Sequence, residues 1–213
     1  MSACIEPWSF PNYAEPSGSA AGRLLPLREK FAVISEFRQA IDVLESLCGE
    51  GGISGYALVG GLAVSVWATP RATEDIDILV LVAPDGGLES FTAALQKVGI
   101  ECQVHRGGAE DPIPLLVTAA IAGIPLDCII AARKWEAEAV QRAVMIEFMG
   151  KTVRVLAPEY LIAMKLKAGG PQDLIDAARV LGQSKYDREL LDTLAKRLRV
   201  TRRLERLRQA EQR

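Results

Sequence analysis

Asp75 and Asp77 stand one residue apart in an otherwise apolar segment, "DIDILVLV". In an extended chain, residues i and i+2 project to the same face. The two carboxylates therefore share a side, while Ile76 and Ile78 turn to the other, towards a core. Two adjacent carboxylates repel, and one tends to stay protonated unless positive charge lies between them. A hard divalent cation meets that need, because magnesium takes carboxylate oxygens and keeps positions open for phosphate oxygens. A third carboxylate, Asp127, lies inside the apolar "IPLDCII". If that segment is the neighbouring strand, three acids on adjacent strands make a cradle for two metals, the arrangement that serves in-line phosphoryl transfer. The alternative is a set of exposed aspartates bonded to Arg or Lys. Asp is depleted in strands, and three of them in apolar settings are harder to explain that way.

The second chemical feature is "ALVGGLAV", which reads as a strand, then Gly60-Gly61, then a helix. Glycines at a helix entry let backbone approach a ligand, and the free N–H groups there favour an anion such as a phosphate. A Gly-Gly turn can equally serve tight packing alone. No G-x-G-x-x-G and no G-K-[ST] is present, which excludes the dinucleotide fingerprint and the P-loop. The coupling is what gives the turn its meaning: an anion-binding bend and an acidic metal site lie within about fifteen residues of each other.

These residues need elements to position them. Residues 1 to 25 are rich in Pro, Ser, Ala and Gly and read as an irregular arm. "REKFAVISEFRQAIDVLESLC" has apolar residues at helical spacing, and "GEGG" ends it. "YALVG" is a strand, "GLAVSVWAT" a helix stopped by Pro70, "DIDILVLV" a strand and "LESFTAALQKVG" a helix. "IECQVHR" alternates as a strand does. Two hairpins follow, one turning near Gly123 and one at Gly150-Lys151, with the helix "KWEAEAVQRA" between them. After Pro158 three helix-length segments with caps and breakers take over. The expected plan is α/β (α+β): an arm (1–25), a core of mixed sheet and helices (26–157), and a helical subdomain (158–213).

Half of the 213 residues are hydrophobic (49%) and 24% are charged, an ordinary balance for a folded, soluble domain. No apolar run is long enough to span a membrane. The opening residues show no basic n-region and no apolar h-region, so no signal peptide is expected and the cytoplasm is the expected compartment. Cys4, Cys48, Cys102 and Cys128 form no C-x-x-C pair, and with one His in the chain a zinc site is not expected.

The pattern "V-G-G, thirteen residues, D-I-D-I" resembles the signature of the DNA polymerase β-type nucleotidyltransferase superfamily. With "R-A-T-E-D-I-D" between them, the residues resemble more narrowly the AbiEii-like nucleotidyltransferases, many of which are toxins of toxin–antitoxin pairs. The later "YLIAMKLKAGGPQDLIDAARVL" is similar to that family's helical segment through Lys165, Asp173 and Asp176. The resemblance covers about residues 56 to 181. It implies a nucleotidyltransferase-type mixed sheet flanked by helices. It also implies dependence on Mg2+, two ions, with Mn2+ as an alternative. The implied reaction moves a nucleoside monophosphate from a nucleoside triphosphate such as ATP to a hydroxyl of RNA (a tRNA end among them) or protein. An antitoxin protein is the implied partner.

On the same resemblance, Asp75 and Asp77 hold both metals, and Asp127 completes one site and helps deprotonate the attacking hydroxyl. Gly60 and Gly61 present N–H groups to the β- and γ-phosphates, and Arg71 and Lys165 neutralise phosphate charge, the alternative for Lys165 being a solvated lysine. Thr73 is either a phosphate ligand or a structural strand-entry residue. Asp173 is either a site residue or a carboxylate stabilising the start of a helix. Two departures stand out. Gly61 lacks the hydroxyl of the Ser often found there. Gly170-Pro171-Gln172-Asp173 lacks two positive charges where Arg-x-Lys-Asp is usual. These departures keep a second function open, a catalytically silent binding module on the same fold.

The last eighteen residues hold eight Lys or Arg against two Glu. Such a run is a solvated helix or a surface for RNA or an antitoxin.

Overall fold

A computed structural model describes residues 27–49, 53–83, 86–108 and 113–211. The arm expected over 1–25 lies outside them. The described residues form one seven-stranded mixed sheet and eight α-helices. In chain order these are α1 (Leu27–Gly49), β1 (Ile53–Leu58), α2 (Gly60–Trp67), β2 (Ile76–Val82), α3 (Gly87–Lys97), β3 (Cys102–Arg106), β4 (Leu115–Ile121), β5 (Ile124–Ile130), α4 (Lys134–Gln141), β6 (Val144–Phe148), β7 (Lys151–Val155), α5 (Pro158–Ala168), α6 (Pro171–Gln183), α7 (Arg188–Arg197) and α8 (Thr201–Glu211). Across the sheet the order is β3-β4-β5-β2-β1-β7-β6.

Both hairpins turn on two residues of positive φ, Ala122 (53°) with Gly123 (87°) and Met149 (51°) with Gly150 (73°). That is the turn geometry that matches strand twist. The second turn therefore sits one residue earlier than the Gly150-Lys151 expected from sequence. The parallel pairs are β2 with β5 and β1 with β7. The β2–β5 pairing sets Asp77 opposite Asp127 and Ile78 opposite Cys128.

Alternation along the strands sorts the two faces. Ile76, Ile78, Val80, Leu126, Cys128 and Val117 are buried on one face. Tyr56 of that face reaches α1, donating to Glu45 Oε1 at 2.8 Å. On the other face Gly55 lets α4 close in: a Cβ there would lie 3.3 Å from Val140. Asp77 and Asp127 belong to this second face, at the end of β2 away from α4.

The helices after residue 157 close over the end of α2. The Trp67 indole N–H donates to the Leu156 carbonyl at 2.8 Å, and Thr69 bonds to the Gln183 side chain at 2.7 and 2.8 Å. Pro158 and Pro171 occupy the first positions of α5 and α6, where a missing N–H does no harm. Asp187 caps α7 by accepting from the Glu189 and Leu190 amides. Among the described residues no helix is long and apolar enough to cross a membrane. Cys48, Cys102 and Cys128 are free thiols, each with its pKa raised by burial.

Candidate active site

β2 begins at Ile76, so Asp75 sits just ahead of the strand. Thr73 holds it there, donating to Asp75 Oδ1 at 2.6 Å. One carboxylate oxygen each from Asp75, Asp77 and Asp127 lies within 4.8 Å of the others. All three residues are part-buried, so water screens their repulsion incompletely. Burial, then the Asp75 and Asp127 charges, push the Asp77 carboxyl up to about 6, against the pull of Lys165 and a hydrogen bond from the Gly61 N–H. Burial and the Asp75 charge likewise raise Asp127, with His105 opposing. The cluster is an unneutralised negative site built of hard oxygen donors, the chemistry that suits magnesium or manganese.

The glycine bend lies against this cluster. Gly60 has φ +59°, and a Cβ on it would fall 1.8 Å from Asp77 Oδ2. The Val59 N–H donates to the Asp77 carbonyl at 2.9 Å, clamping the bend to β2. Gly61 spends its N–H on the Asp77 carboxylate. A Cβ on Gly61 would fall 2.9 Å from Arg71 Nη2 and 2.9 Å from Thr73 Oγ1. The missing serine thus has a physical cause: polar atoms of Arg71 and Thr73 already stand where its side chain would go. The loop that carries them is drawn in by Ser65, which accepts from the Arg71 amide at 3.3 Å and donates to the Gly61 carbonyl at 3.0 Å.

Arg71 and Lys165 converge on one acid. Arg71 donates from Nε and Nη2 to the two oxygens of Asp176, both at 3.1 Å. Lys165 Nζ lies 3.3 Å from Asp176 and 2.9 Å from Asp173. Gln172 adds a bond to Asp176 Oδ1 at 2.9 Å. The Asp176 side chain is fully buried. Burial alone would raise its pKa, but the bonds from Arg71 and Gln172 and the charges of Lys165 and Arg71 outweigh that and hold it low. Asp176 is thus the hub of the cations, although spacing alone showed it only as sharing a helix face with Asp173. Gln172, in place of a basic residue, still serves that hub. Asp173, in the first turn of α6, meets the site through Lys165.

Replacing Asp176 with Asn should destabilise the fold by about 2 kcal/mol, measured by urea unfolding, because two part-buried cations lose their counter-charge. Because the native pKa is depressed, this stabilisation is present above the unfolded-state value and is lost as pH falls through the native one. The gap between wild type and Asp176→Asn should therefore close in acid.

Two residues beside Asp127 carried no role in the sequence reading. Thr118 of β4 is paired directly opposite Asp127. His105 of β3, the only histidine in the chain, bonds through Nε2 to Thr118 Oγ1 at 2.9 Å.

The basic end is partly structural. Arg197 pairs with Glu138 at 2.8 Å and Arg208 with Asp192 at 2.6 Å. Arg203 caps the last carbonyls of α5, at Leu166 and Lys167. With Arg199, Arg202 and Arg206 it lines a cleft.

A sequence model of the family described as "Nucleotidyl transferase AbiEii toxin, Type IV TA system" matches residues 43–213. Among solved structures, the chain is similar to an antigenic nucleotidyltransferase-like protein from Paracoccidioides brasiliensis, at 17% identity over 77% of this chain and 87% of that one, with a TM-score of 0.49. It is similar to ANT(2″)-Ia in complex with adenylyl-2″-tobramycin, at 17% identity over 78% and 97% of the two chains, TM-score 0.48. It is also similar to the Megavirus polyadenylate synthase, at 12% identity over 83% of this chain and 41% of that one, TM-score 0.43. No curated protein matches the chain significantly.

Proposed function

The chain belongs to the AbiEii nucleotidyltransferase family, and from that premise we propose that its active site is the cluster of Asp75, Asp77 and Asp127. The reaction is transfer of a nucleoside monophosphate from a nucleoside triphosphate to a hydroxyl of RNA or protein. One observation carries this reading: two carboxylates paired across parallel strands and a third just ahead of one of them meet beside a glycine bend, with too little positive charge among them to balance. Mg2+, as two ions, fits the all-oxygen donor set, and Mn2+ is the alternative. When bound, the metal supplies Lewis-acid stabilisation of the charge on the reacting phosphate.

The residues divide the remaining work. The acceptor oxygen bonds to the α-phosphorus, the bond from that phosphorus to the β-bridging oxygen breaks, and pyrophosphate leaves. Asp127, on the strand beside Asp77, takes the hydroxyl proton as general base. Lys165, placed between Asp77 and α6, faces the triphosphate, and Arg71 and Thr73 flank the bend that receives it. Gly60 and Gly61 keep that approach open to backbone. Asp173 and Asp176 hold the cations ready, which reduces the reorganisation needed at the moment of reaction.

The same reading makes the protein a cytoplasmic toxin held in check by an antitoxin protein. Incubation with α-labelled nucleoside triphosphates, one base at a time, with total RNA and lysate protein as acceptors, tests the enzyme. Label should enter one acceptor class only when Mg2+ is present. Metal-dependent nucleotide binding with no labelled acceptor would instead identify a silent binding module.

A further inference from the structure

The sheet face that carries the three acids continues past Asp127 onto β4 and β3. There Gln103 and His105 are exposed, and Leu116, Thr118 and Ile129 are part-buried. On the opposite face of the same strands Val117, Leu126 and Cys128 are buried. The Gly60-Gly61 bend, Arg71 and Lys165 all lie on the β1 side of the cluster or above it. If the triphosphate enters from there, the attacking group must come from the open β3–β4 side, since in-line displacement puts nucleophile and leaving group on opposite sides of the phosphorus.

His105 stands at that side. Its Nε2 is fixed by Thr118 at 2.9 Å, and Thr118 is the cross-strand partner of Asp127. The second ring nitrogen of His105 has no hydrogen-bond partner among the described residues. An exposed histidine held by the threonine that pairs with Asp127, with its other nitrogen free, is oriented for a ligand rather than for the core.

Resting on the nucleotidyltransferase reading above, we propose that His105, oriented by Thr118, is a positioning residue for the acceptor. Its free Nδ1 hydrogen-bonds the acceptor next to the attacking hydroxyl, while Asp127 takes the proton.

The test uses the full chain and the acceptor pool, total RNA or lysate protein, that the wild type labels. His105→Ala removes both ring nitrogens. His105→Gln keeps a group that can reach Thr118, and His105→Asn keeps one at the position of Nδ1. His105→Ala and His105→Gln should raise KM for the pool about tenfold, the size of one lost substrate hydrogen bond, and His105→Asn should restore most of it. KM for the nucleoside triphosphate and Mg2+-dependent nucleotide binding should stay within twofold. His105 is exposed, so all three variants should melt with the wild type. An unchanged acceptor KM, or a nucleotide KM that rises in parallel, overturns the assignment while leaving the enzyme reading intact. If the wild type labels neither pool, the enzyme reading fails first and this inference goes with it.

Discussion

Asp77→Asn should lower the rate of nucleotidyl transfer by about a thousandfold or more and, at the same time, raise the melting temperature of the metal-free protein. The first effect follows from the metal-binding role proposed for Asp77: a neutral amide cannot balance two divalent charges, and loss of even one donor to the transition state costs about a hundred- to a thousandfold. The second follows from electrostatics. Burial and the neighbouring carboxylates raise Asp77 from an ordinary 3.8 to about 6, so between those values the native state binds more protons than the unfolded chain. Stability therefore falls as pH rises through this window. The destabilisation is absent below about pH 4, grows to about pH 6 and is complete above it.

Asn removes that charge, so the variant should gain about 2 kcal/mol over wild type at pH 7, or about 5 °C for a chain of this size. The advantage should vanish near pH 4. Excess Mg2+ should raise the melting temperature of the wild type, because it binds the native state, and should do little for Asp77→Asn. Thermal scans at the two pH values, with chelator or with Mg2+, read all four outcomes. A wild type that melts above Asp77→Asn without metal at pH 7 would contradict the unbalanced-charge account of the site.

Gly60→Ala should remove transfer almost as completely, for a reason of shape. At φ +59° any L side chain is strained by about 1 kcal/mol or more. At Gly60 the added methyl would also fall 1.8 Å from Asp77 Oδ2 and 2.5 Å from Asp77 Cγ, so the carboxylate must leave its place. A displacement of about 1 Å at a reacting centre costs about a hundredfold. Gly123→Ala is the matched control. Gly123 has φ +87° with nothing within 4 Å of an added Cβ, so it carries the backbone strain alone. Both variants should lose stability in urea unfolding, Gly60→Ala by about 3 kcal/mol and Gly123→Ala by about 1 kcal/mol. Only Gly60→Ala should lose activity. Equal activities in the two would separate the bend from the acidic cluster.

The elements were legible because each is spelled locally. The Pro at the starts of α5 and α6, the glycine turns of both hairpins and the alternation of "IECQVHR" all act within a few residues. The facing of Asp77 follows from strand geometry in the same way, whereas Asp75, expected on the strand, lies just ahead of it and is held by Thr73. Asp127 needed one further assumption, that "IPLDCII" pairs with β2, and the parallel register supplies it. Thr118 was within reach too: counting outward from Ala122-Gly123 sets it opposite Asp127, but threonine is an ordinary strand residue and its type carries no signal. The Asp176 hub was not legible. Its bond to Arg71 joins residues 105 apart in the chain, through packing of α6 on α2 that no local spacing encodes. The departure at Gly61 looked like a deficit in sequence, and its cause appears only when Arg71 and Thr73 fold back onto the bend.

The clasp between Arg71 and Asp176 has a bearing on when the protein becomes competent. Arg71 is made early and its counter-charge late, after the whole of the sheet. A nascent chain still missing α6 carries the three acids with neither cation anchored beside them. Nucleotidyl transfer should therefore be withheld until α6 has been made and has packed onto Arg71 and Lys165.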